Sequence, residues 1–220
     1  MRDSVAGNTS QAGLADGPVV YRLVASPWNY WIGFALDIVL GIALAAYGLV
    51  NHTFGPVTFG AVFAGWLFFT FIEYAIHRWG YHGPESPLTY VHVFHHRDGD
   101  VLVGAPFFYP LVIISVVIAV AQLLAPFAIV ALFAGTVLIV YECQTFIHAI
   151  AHAWPGARGI QVSGPLKRLR RHHMIHHAGD GHVNFGMSTA LWDRIFGTYA
   201  SRVSRRRSAT LPSDEEATSA

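Results

Sequence analysis

Long apolar runs alternate with polar segments along this chain. Four runs can be marked: Trp28 to Val50, Val57 to Ile76, Pro106 to Leu124, and Pro126 to Ile147. Each is close to the roughly 20 residues that a helix needs to cross a hydrocarbon core about 30 Å thick. Gly55-Pro56 and Pro126 mark turns between consecutive runs, because glycine and proline interrupt helices. The pattern predicts an all-α integral membrane protein with four transmembrane helices paired in two hairpins.

The polar segments divide the rest of the chain. The stretches after the second and fourth runs are expected to form a helical cap on one face of the membrane. Residues 1–26 are polar, rich in glycine and alanine and without the pattern of a signal peptide, so they are expected to be flexible. Residues 204–220 are rich in arginine and serine and then in glutamate, so they are expected to be disordered. A single membrane-embedded domain over residues 27–203 remains.

Composition supports the membrane assignment. Charged residues make up 12% of the chain and the mean hydropathy is +0.41, whereas a soluble domain carries about a quarter charged residues. The net charge of +1 gives no reason to expect a nucleic-acid partner. Cys143 is the only cysteine. An intrachain disulfide, a thiolate-ligated zinc or an iron–sulfur cluster is therefore excluded for this chain alone.

Basic residues predict the orientation in the membrane. They lie in the segments after the second and fourth runs, whereas the two opposite loops carry no charge. These residues are Arg78, Arg97, Arg158, Lys167, Arg168, Arg170, Arg171, Arg194, Arg202 and Arg205 to Arg207. By the positive-inside rule this face is cytoplasmic, and an even number of spans puts both termini on it.

Histidines gather on the same face. Ten of the thirteen fall into four clusters: His77 with His82; His92 with His95 and His96; His148 with His152; and His173 with His176 and His177. Neutral imidazole is the commonest metal ligand, and residues three or four apart share one face of a helix. His77 and His82 are off-face by about 140° in an ideal helix, but Gly83-Pro84 follows at once, so the helix can end or unwind there. Ten ligands are too many for one ion and predict a dinuclear site.

Other polar residues are candidates to support these ligands. Glu73 and Gln144 each precede a clustered histidine by four residues, so either can accept the second ring N–H and fix a tautomer. The remaining candidates for such a role, or for a helix cap, are Asn184, Asp193, His172 and His182. A solvated helix end, a surface position or a packing role is the alternative for each. His52, between the first two runs, is not expected to bind metal.

A dinuclear site made of imidazoles favours oxygen chemistry. A structural zinc needs four ligands and does not recruit ten. Iron held by histidines can keep positions open for O₂, and two irons can share the electrons that cleave it. Zinc can replace iron in purified protein, because it binds imidazole more tightly than ferrous iron does. A site at the membrane surface can reach substrates dissolved in lipid.

The histidine clusters resemble the histidine boxes of the fatty acid hydroxylase/sterol desaturase superfamily. The similar stretches are His77-Arg78-Trp79-Gly80-Tyr81-His82, His92-Val93-Phe94-His95-His96, His148-Ala149-Ile150-Ala151-His152 and His172-His173-Met174-Ile175-His176-His177, followed by the tail from Asn184 to Tyr199. The resemblance covers about residues 57–199. Within the superfamily it is closest to the fatty acid 2-hydroxylases, on Leu166-Lys167-Arg168 and on Phe185-Gly186-Met187-Ser188 before Trp192-Asp193.

This resemblance implies four transmembrane helices under a cytosolic cap with a di-iron centre, and O₂-dependent oxidation of lipid chains. No cytochrome b5 domain precedes the first run, so the expected electron donor is a separate cytochrome b5- or ferredoxin-type protein with its reductase. The substrate is expected to enter from the bilayer past apolar residues near the cytoplasmic ends of the spans: Phe69, Ile72, Phe107, Phe108 and Phe146.

The functional hypothesis is a di-iron hydroxylase of a fatty-acid or sphingolipid-like acyl chain. Within the same superfamily, a sterol or carotenoid hydroxylase and a lipid desaturase are alternatives, because desaturation starts with the same hydrogen abstraction. A non-oxidative membrane protein that stores or transports metal is the alternative from another class. It would need ligands along a path through the bilayer, yet the interiors of the four runs contain no histidine.

Overall fold

Helices account for the regular structure of the described residues, which are 19–97, 99, 102–152, 159–179 and 181–203 of a computed structural model. Residues 1–18 and 204–220, on which part of the expected terminal flexibility falls, lie outside the described residues. In chain order the helices are α1 (Val19–Val24), α2 (Pro27–Asn51), α3 (Pro56–Ala75) with a π-helical continuation (Ile76–Tyr81), α4 (Pro87–Arg97), α5 (Tyr109–Ala121), α6 (Phe127–Ala151), α7 (Gly164–Ala178) and α8 (Leu191–Ile195).

Three helices are long and apolar enough to cross a membrane. They are Pro27–Asn51, Pro56–Tyr81 and Phe127–Ala151, and each is within a few residues of a predicted run. The third predicted run, Pro106 to Leu124, contains only the 13-residue helix α5. The chain turns at both ends of the apolar stretch, so the helix has only 13 residues. A helix of that number of residues is about 20 Å long. The membrane class and the all-α fold are therefore confirmed, whereas the described structure has three full-length spans and one short apolar helix.

A short helix, α1, precedes the first long helix. Residues 19–24 form α1, Val24 is buried, and the Val24 carbonyl accepts a hydrogen bond of 3.1 Å from the Gly104 amide. This hydrogen bond joins the end of α1 to the segment before α5.

Helix α6 is the centre of the bundle. It packs most extensively on α2, then on α3, and also on α5 and α7. Small residues permit the closest of these contacts. A Cβ atom added to Gly135 of α6 would lie 2.6 Å from the Ala45 amide nitrogen and 2.7 Å from the Gly41 carbonyl of α2. Close backbone approach of this kind is typical of membrane helices, which gain little from the hydrophobic effect when they associate in lipid.

One end of this bundle carries the histidines. Helices α3 and α6 both finish at that end, in the π-helical turn and at His152 respectively. The polar helices α4 and α7 pack there, α4 against the π-helical turn and α7 against α6. Four elements, which are the π-helical turn and helices α4, α6 and α7, therefore meet at the same end of the apolar scaffold.

Candidate metal centre

A change of helical period places His77 beside His82. The π-helical turn Ile76–Tyr81 closes with a hydrogen bond of 3.2 Å from the His82 amide to the His77 carbonyl, five residues back. A π-helix bonds residue i to residue i+5, so a spacing of five that splits two side chains in an α-helix brings them together here. The sequence indicated that the helix could unwind after His82, but the adjustment lies before it.

Five histidines form the group called site A: His77, His82, His92, His96 and His176. Four of their Nε2 atoms form a closed ring, with distances of 2.9 Å from His92 to His82, 3.1 Å from His82 to His176, 3.0 Å from His176 to His96 and 3.0 Å from His96 to His92. The fifth, Nε2 of His77, lies 3.1 Å from that of His92. One ring nitrogen from each of the five histidines lies within 4.8 Å of those of the other four.

Hydrogen bonding alone does not account for this ring. An imidazole nitrogen carries one hydrogen or one lone pair in the ring plane, so it forms a single good hydrogen bond. Nε2 of His92 nevertheless lies within 3.1 Å of three other Nε2 atoms. A square with edges of about 3.0 Å has its centre about 2.1 Å from each corner, which is the usual metal–imidazole distance. Site A therefore fits a metal ion.

The remaining clustered histidines form site B: His95, His148, His152, His173 and His177. Nε2 of His148 lies 3.0 Å from that of His95, and Nε2 of His152 lies 2.7 Å from that of His173. Nε2 of His177 is buried and has no hydrogen-bond partner among the described residues. A buried polar atom is costly unless it is satisfied, so the donor set of site B also fits a cation.

Helices α4 and α7 each contribute to both sites. His92 and His96 of α4 enter site A while His95 enters site B. In α7, His176 enters site A while His173 and His177 enter site B. The rings of His96 and His177 stack with centroids 4.1 Å apart, which brings the two sites into direct contact. The sequence left open how ten ligands divide between two ions, and the tertiary structure sorts them into two fives.

Burial keeps these imidazoles neutral. It lowers the pKa of His82 and of His96 to about 4, with repulsion from neighbouring imidazoles as the smaller cause. Burial likewise lowers the pKa of His176 to about 3, although the Val183 carbonyl opposes the shift. It also holds the pKa of His173 well below its usual value. The neutral form is the one that binds metal, so the rings are ready as ligands at neutral pH.

Backbone carbonyls orient two of the rings in site A. Nδ1 of His77 lies 2.5 Å from the Phe185 carbonyl, and Nδ1 of His176 lies 2.7 Å from the Val183 carbonyl. A carbonyl acceptor fixes the hydrogen on Nδ1, which leaves the Nε2 lone pair for a ligand. Sequence reasoning missed both carbonyls, because backbone acceptors leave no signal in side-chain identity. The only hint was that residues 183–185 follow the last histidine cluster closely.

Asp193 holds the segment that provides these carbonyls. Its carboxylate is fully buried and accepts hydrogen bonds from the amides of Phe185 and Gly186, each at 2.8 Å, and from the Thr198 hydroxyl at 2.7 Å. It also pairs with Nε2 of His172 at 2.9 Å. His172 is therefore bonded to Asp193 and belongs to neither group of five histidines.

Asn184 contributes in the same way. Its backbone has a φ of 58°, and its side chain bonds the carbonyls of His172 and Ala200 and the Ala200 amide. Asparagine tolerates this left-handed conformation better than most residues. The side chain thus joins the middle of α7 to the stretch after α8.

The other candidate supports differ from expectation. Glu73 does not contact the His77 ring; its carboxylate accepts hydrogen bonds from the Met187 amide and from the Ser188 amide and hydroxyl. The His77 ring, at the start of the π-helical turn, instead bonds the Phe185 carbonyl through Nδ1. The described residues give Gln144 no hydrogen bond to the His148 ring. His182 is exposed beside His82.

Comparison with known proteins decides the family. The model of the fatty acid hydroxylase family matches residues 62–198, which is more than half of the chain. This chain belongs to the fatty acid hydroxylase family. The relationship predicted from the histidine clusters is thus confirmed. The matched region contains the two sites and most of the bundle, from the middle of α3 to the end of the Asp193 segment.

Similar proteins span this region. The fatty acid 2-hydroxylase of Mus musculus is 33% identical over 153 residues, which are 64% of this chain and 40% of that protein. The dihydroceramide fatty acyl 2-hydroxylase FAH2 of Arabidopsis thaliana is 26% identical over 190 residues, which are 81% of this chain and 73% of that protein. The chain therefore spans less than half of the mouse protein.

A solved structure shares the fold. Full-length Scs7p, in which only the hydroxylase domain is visible, matches with a TM-score of 0.61 at 19% identity, over 86% of this chain and 74% of that one. The likeness supports the arrangement of the helices around the two sites.

Proposed function

We propose that this chain is an O₂-dependent di-iron hydroxylase that acts on the acyl chain of a membrane lipid. The observation that carries the proposal is the convergence of ten imidazoles into sites A and B at one end of an apolar helix bundle. Membership of the fatty acid hydroxylase family supports the same reaction class. A fatty acid or a sphingolipid-like molecule is the proposed substrate.

The residues of the chain hold and orient the reactive centre. All ten clustered histidines are proposed ligands, five for each ion. Two iron ions, when bound, would supply the reduction of O₂ and the abstraction of hydrogen from an unactivated carbon. The carbonyls of Val183 and Phe185, held by Asp193, Asn184 and Glu73, keep the ring tautomers fixed. Zinc is the proposed contaminant of purified protein.

We place the two sites at the cytoplasmic face. The basic residues of α7 and of the segment after α8 flank the histidine end of the bundle, which is the charge distribution of a cytoplasmic surface. In this topology α5 completes the second hairpin as a short fourth span, α4, α7 and α8 form a cytosolic cap, and both termini are cytoplasmic. Electrons come from a separate cytochrome b5- or ferredoxin-type donor.

A lipid substrate would approach from the side of the bundle. Phe108 is 42% exposed and Phe146 is 49% exposed, near the histidine end of α5 and α6. Exposed aromatic side chains at this level can contact an acyl chain that leaves the bilayer. Phe69 is instead packed in the core formed by α3, α5 and α6, so it is removed from the proposed route.

Lipid analysis tests the function directly. Cells that produce this protein with an electron-donor system should contain lipids heavier by one oxygen atom, detected by mass spectrometry of extracts. His92→Ala and His173→Ala each remove one ligand from a different site, so both should abolish the product and lower the metal content from about two ions per chain. His52→Ala is the matched control, since His52 lies at the opposite end of the bundle between α2 and α3.

The possible outcomes separate the alternatives. Products lighter by two hydrogen atoms would indicate a desaturase, and oxygenated sterols or carotenoids would indicate another substrate class. A full complement of metal without any oxidised lipid, in cells that contain a functional donor, would favour a metal-storage protein. Retained activity in both His92→Ala and His173→Ala would contradict a dinuclear centre.

A further inference from the structure

Two acidic side chains face each other inside the helix bundle, away from the histidine sites. Asp37 lies in the middle of α2 and Glu142 lies in α6, and they are 1% and 2% exposed. Both side chains line the same small cavity. Asp37 Oδ1 and Glu142 Oε2 have no partner among the described residues. Ionisable groups within membrane spans are costly and are retained where they serve a function.

Two acidic groups buried in one cavity require a proton on at least one of them. Two carboxylates in a cavity of low dielectric constant repel each other and lack the solvation that a charge needs, so the pair keeps a proton. The described lining of the surrounding cavity contains no basic side chain; its other ionisable groups are Tyr30 from α2 and Tyr141 from α6. The pair therefore holds a proton that no neighbouring cation replaces.

The free carboxyl oxygens line a small cavity. It lies between α2, α6 and the segment before α5, and its polar lining also includes Asn29 and Thr145. A cavity of this size holds a water molecule when several polar groups surround it. The two unpartnered oxygens meet that condition together with the tyrosine hydroxyls.

A second cavity connects this region with site B. It is lined by His95, His148 and His152, and it shares Tyr30 and Thr145 with the first cavity. Tyr30 lies seven residues before Asp37, so the two side chains share one face of α2 two turns apart. The Tyr30 hydroxyl donates a hydrogen bond of 3.3 Å to the Thr145 carbonyl. Tyr30 thus stands between the acidic pair and site B, whereas Tyr141 lines the first cavity alone.

We propose that Asp37 and Glu142 form a proton-donating pair that serves the histidine centre through the Tyr30 hydroxyl. This inference rests on the proposed function. Hydroxylation of R–H with O₂ consumes two electrons and two protons and yields R–OH and H₂O. The electrons come from the separate donor, and the pair supplies protons only.

Each transfer is a relay of one proton. The carboxyl O–H bond breaks, and a water molecule in the first cavity carries the proton to the Tyr30 oxygen. The Tyr30 hydroxyl turns away from the Thr145 carbonyl, and its original proton passes to the oxygen atom that is released as H₂O. Tyr30 is thereby regenerated, and the pair takes up a new proton from the aqueous side. Tyr30, Asp37 and Glu142 are positioning and proton-transfer groups that do not bind metal.

Infrared spectroscopy tests the shared proton without any enzymatic activity. Purified metal-free protein in lipid nanodiscs should show the C=O band of a protonated carboxyl group, with a shift in D₂O. The band should shift in Asp37→Asn and in Glu142→Gln, because one buried carboxyl group remains in each, and it should disappear in the double variant. Absence of the band from the wild-type protein would overturn the proposal, and so would its loss on addition of Na⁺, which would assign the cavity to a cation.

Turnover of the metal-loaded protein tests the relay. Glu142→Gln and Tyr30→Phe should lower product formation about a hundredfold and raise the solvent isotope effect, with metal content unchanged. Tyr141→Phe is the matched control and should keep the wild-type rate, because Tyr141 does not reach the second cavity. If one of Glu142→Gln and Tyr30→Phe fails to fold, the other variant alone tests the relay.

The outcomes distinguish this relay from the proposed function. Wild-type turnover in Tyr30→Phe and Glu142→Gln, or an equal loss in Tyr141→Phe, would overturn the relay while the function stands. A wild-type protein that shows the carboxyl band but forms no oxidised lipid would overturn the proposed function and the relay with it. A carboxyl band in the wild type together with selective loss of turnover in the Tyr30 variant supports the relay.

Discussion

Asp193 shows how much one buried side chain organises near the two sites. Four donors from different parts of the chain converge on its carboxylate: two amides, a hydroxyl and the His172 ring. The two amides belong to the segment whose Phe185 carbonyl orients His77. Loss of this carboxylate would therefore disturb both stability and ligand geometry, although Asp193 contacts neither site directly.

Asp193→Ala is expected to lower the free energy of unfolding by about 3 to 5 kcal/mol, because it leaves buried polar partners unsatisfied. A thermal or denaturant unfolding measurement in detergent checks the value. The control is Glu85→Ala, since Glu85 is an exposed acid and its loss should change stability by less than about 0.5 kcal/mol. Equal stability of the two variants would contradict this role of Asp193.

At the scale of helices, the π-helical turn is the element that assembles site A. Its one wider turn brings His82 over His77, whereas uninterrupted α-helix would separate their directions by about 140°. π-Helical turns are often found at functional sites. The continuation Ile76–Tyr81 lies at the histidine end of the bundle and includes one ligand candidate, with the other at its terminus.

Deletion of Gly80 tests this turn. Removing one residue should convert the turn to α-helix and rotate His82 by about 100° relative to its present position. Metal content, measured by elemental analysis, should fall by about one ion per chain. Gly80→Ala keeps the residue number and places a Cβ 3.6 Å from Ile76 Cγ2, so it should keep the metal. Full metal content in the deletion variant would exclude the turn as the cause of convergence.

The contact between α2 and α6 gives a second prediction for the elements. A Cβ on Gly135 would meet the backbone of α2 at 2.6 Å, so Gly135→Ala should force the helices apart and cost about 1 to 3 kcal/mol of stability. Gly60→Ala, on α3, meets nothing within 4 Å and should be neutral or slightly stabilising. Thermal unfolding of the two variants, measured side by side, tests whether this close approach contributes to stability.

At the scale of the whole molecule, sites A and B both lie at the same end of the helix bundle. The proposed cytoplasmic location follows from the basic residues around that end. If the chain inserts in this orientation, single cysteines near residues 100, 160 and 205 should react only with a reagent that reaches the cytoplasm.

A cysteine at position 52 serves as the control for the opposite face and should react from outside. The experiment starts from Cys143→Ser, because the native Cys143 is exposed. Opposite labelling of positions 100 and 160 would contradict a common face for the histidine clusters, and reversed labelling of every position would invert the proposed topology.

The sequence by itself determined the membrane class, the extents of three spans and the ten histidines, because apolar length and repeated ligand spacing are local signals. It predicted a third span that is longer than helix α5, because hydropathy does not indicate the turns at the two ends of α5. It also named Asp193, Asn184 and His172 as polar supports without indicating their partners.

Tertiary structure alone decided how the histidines divide. Helices α4 and α7 each present neighbouring residues to different sites, so the grouping depends on how four elements meet at the end of the bundle. It also decided that carbonyls of residues 183 and 185, rather than Glu73 or Gln144, contact the ligand rings, because backbone acceptors have no side-chain signature. Tertiary structure also decided the cavity that Asp37 and Glu142 line. It lies between two spans that are distant in sequence, and small residues let the backbones of these spans approach each other.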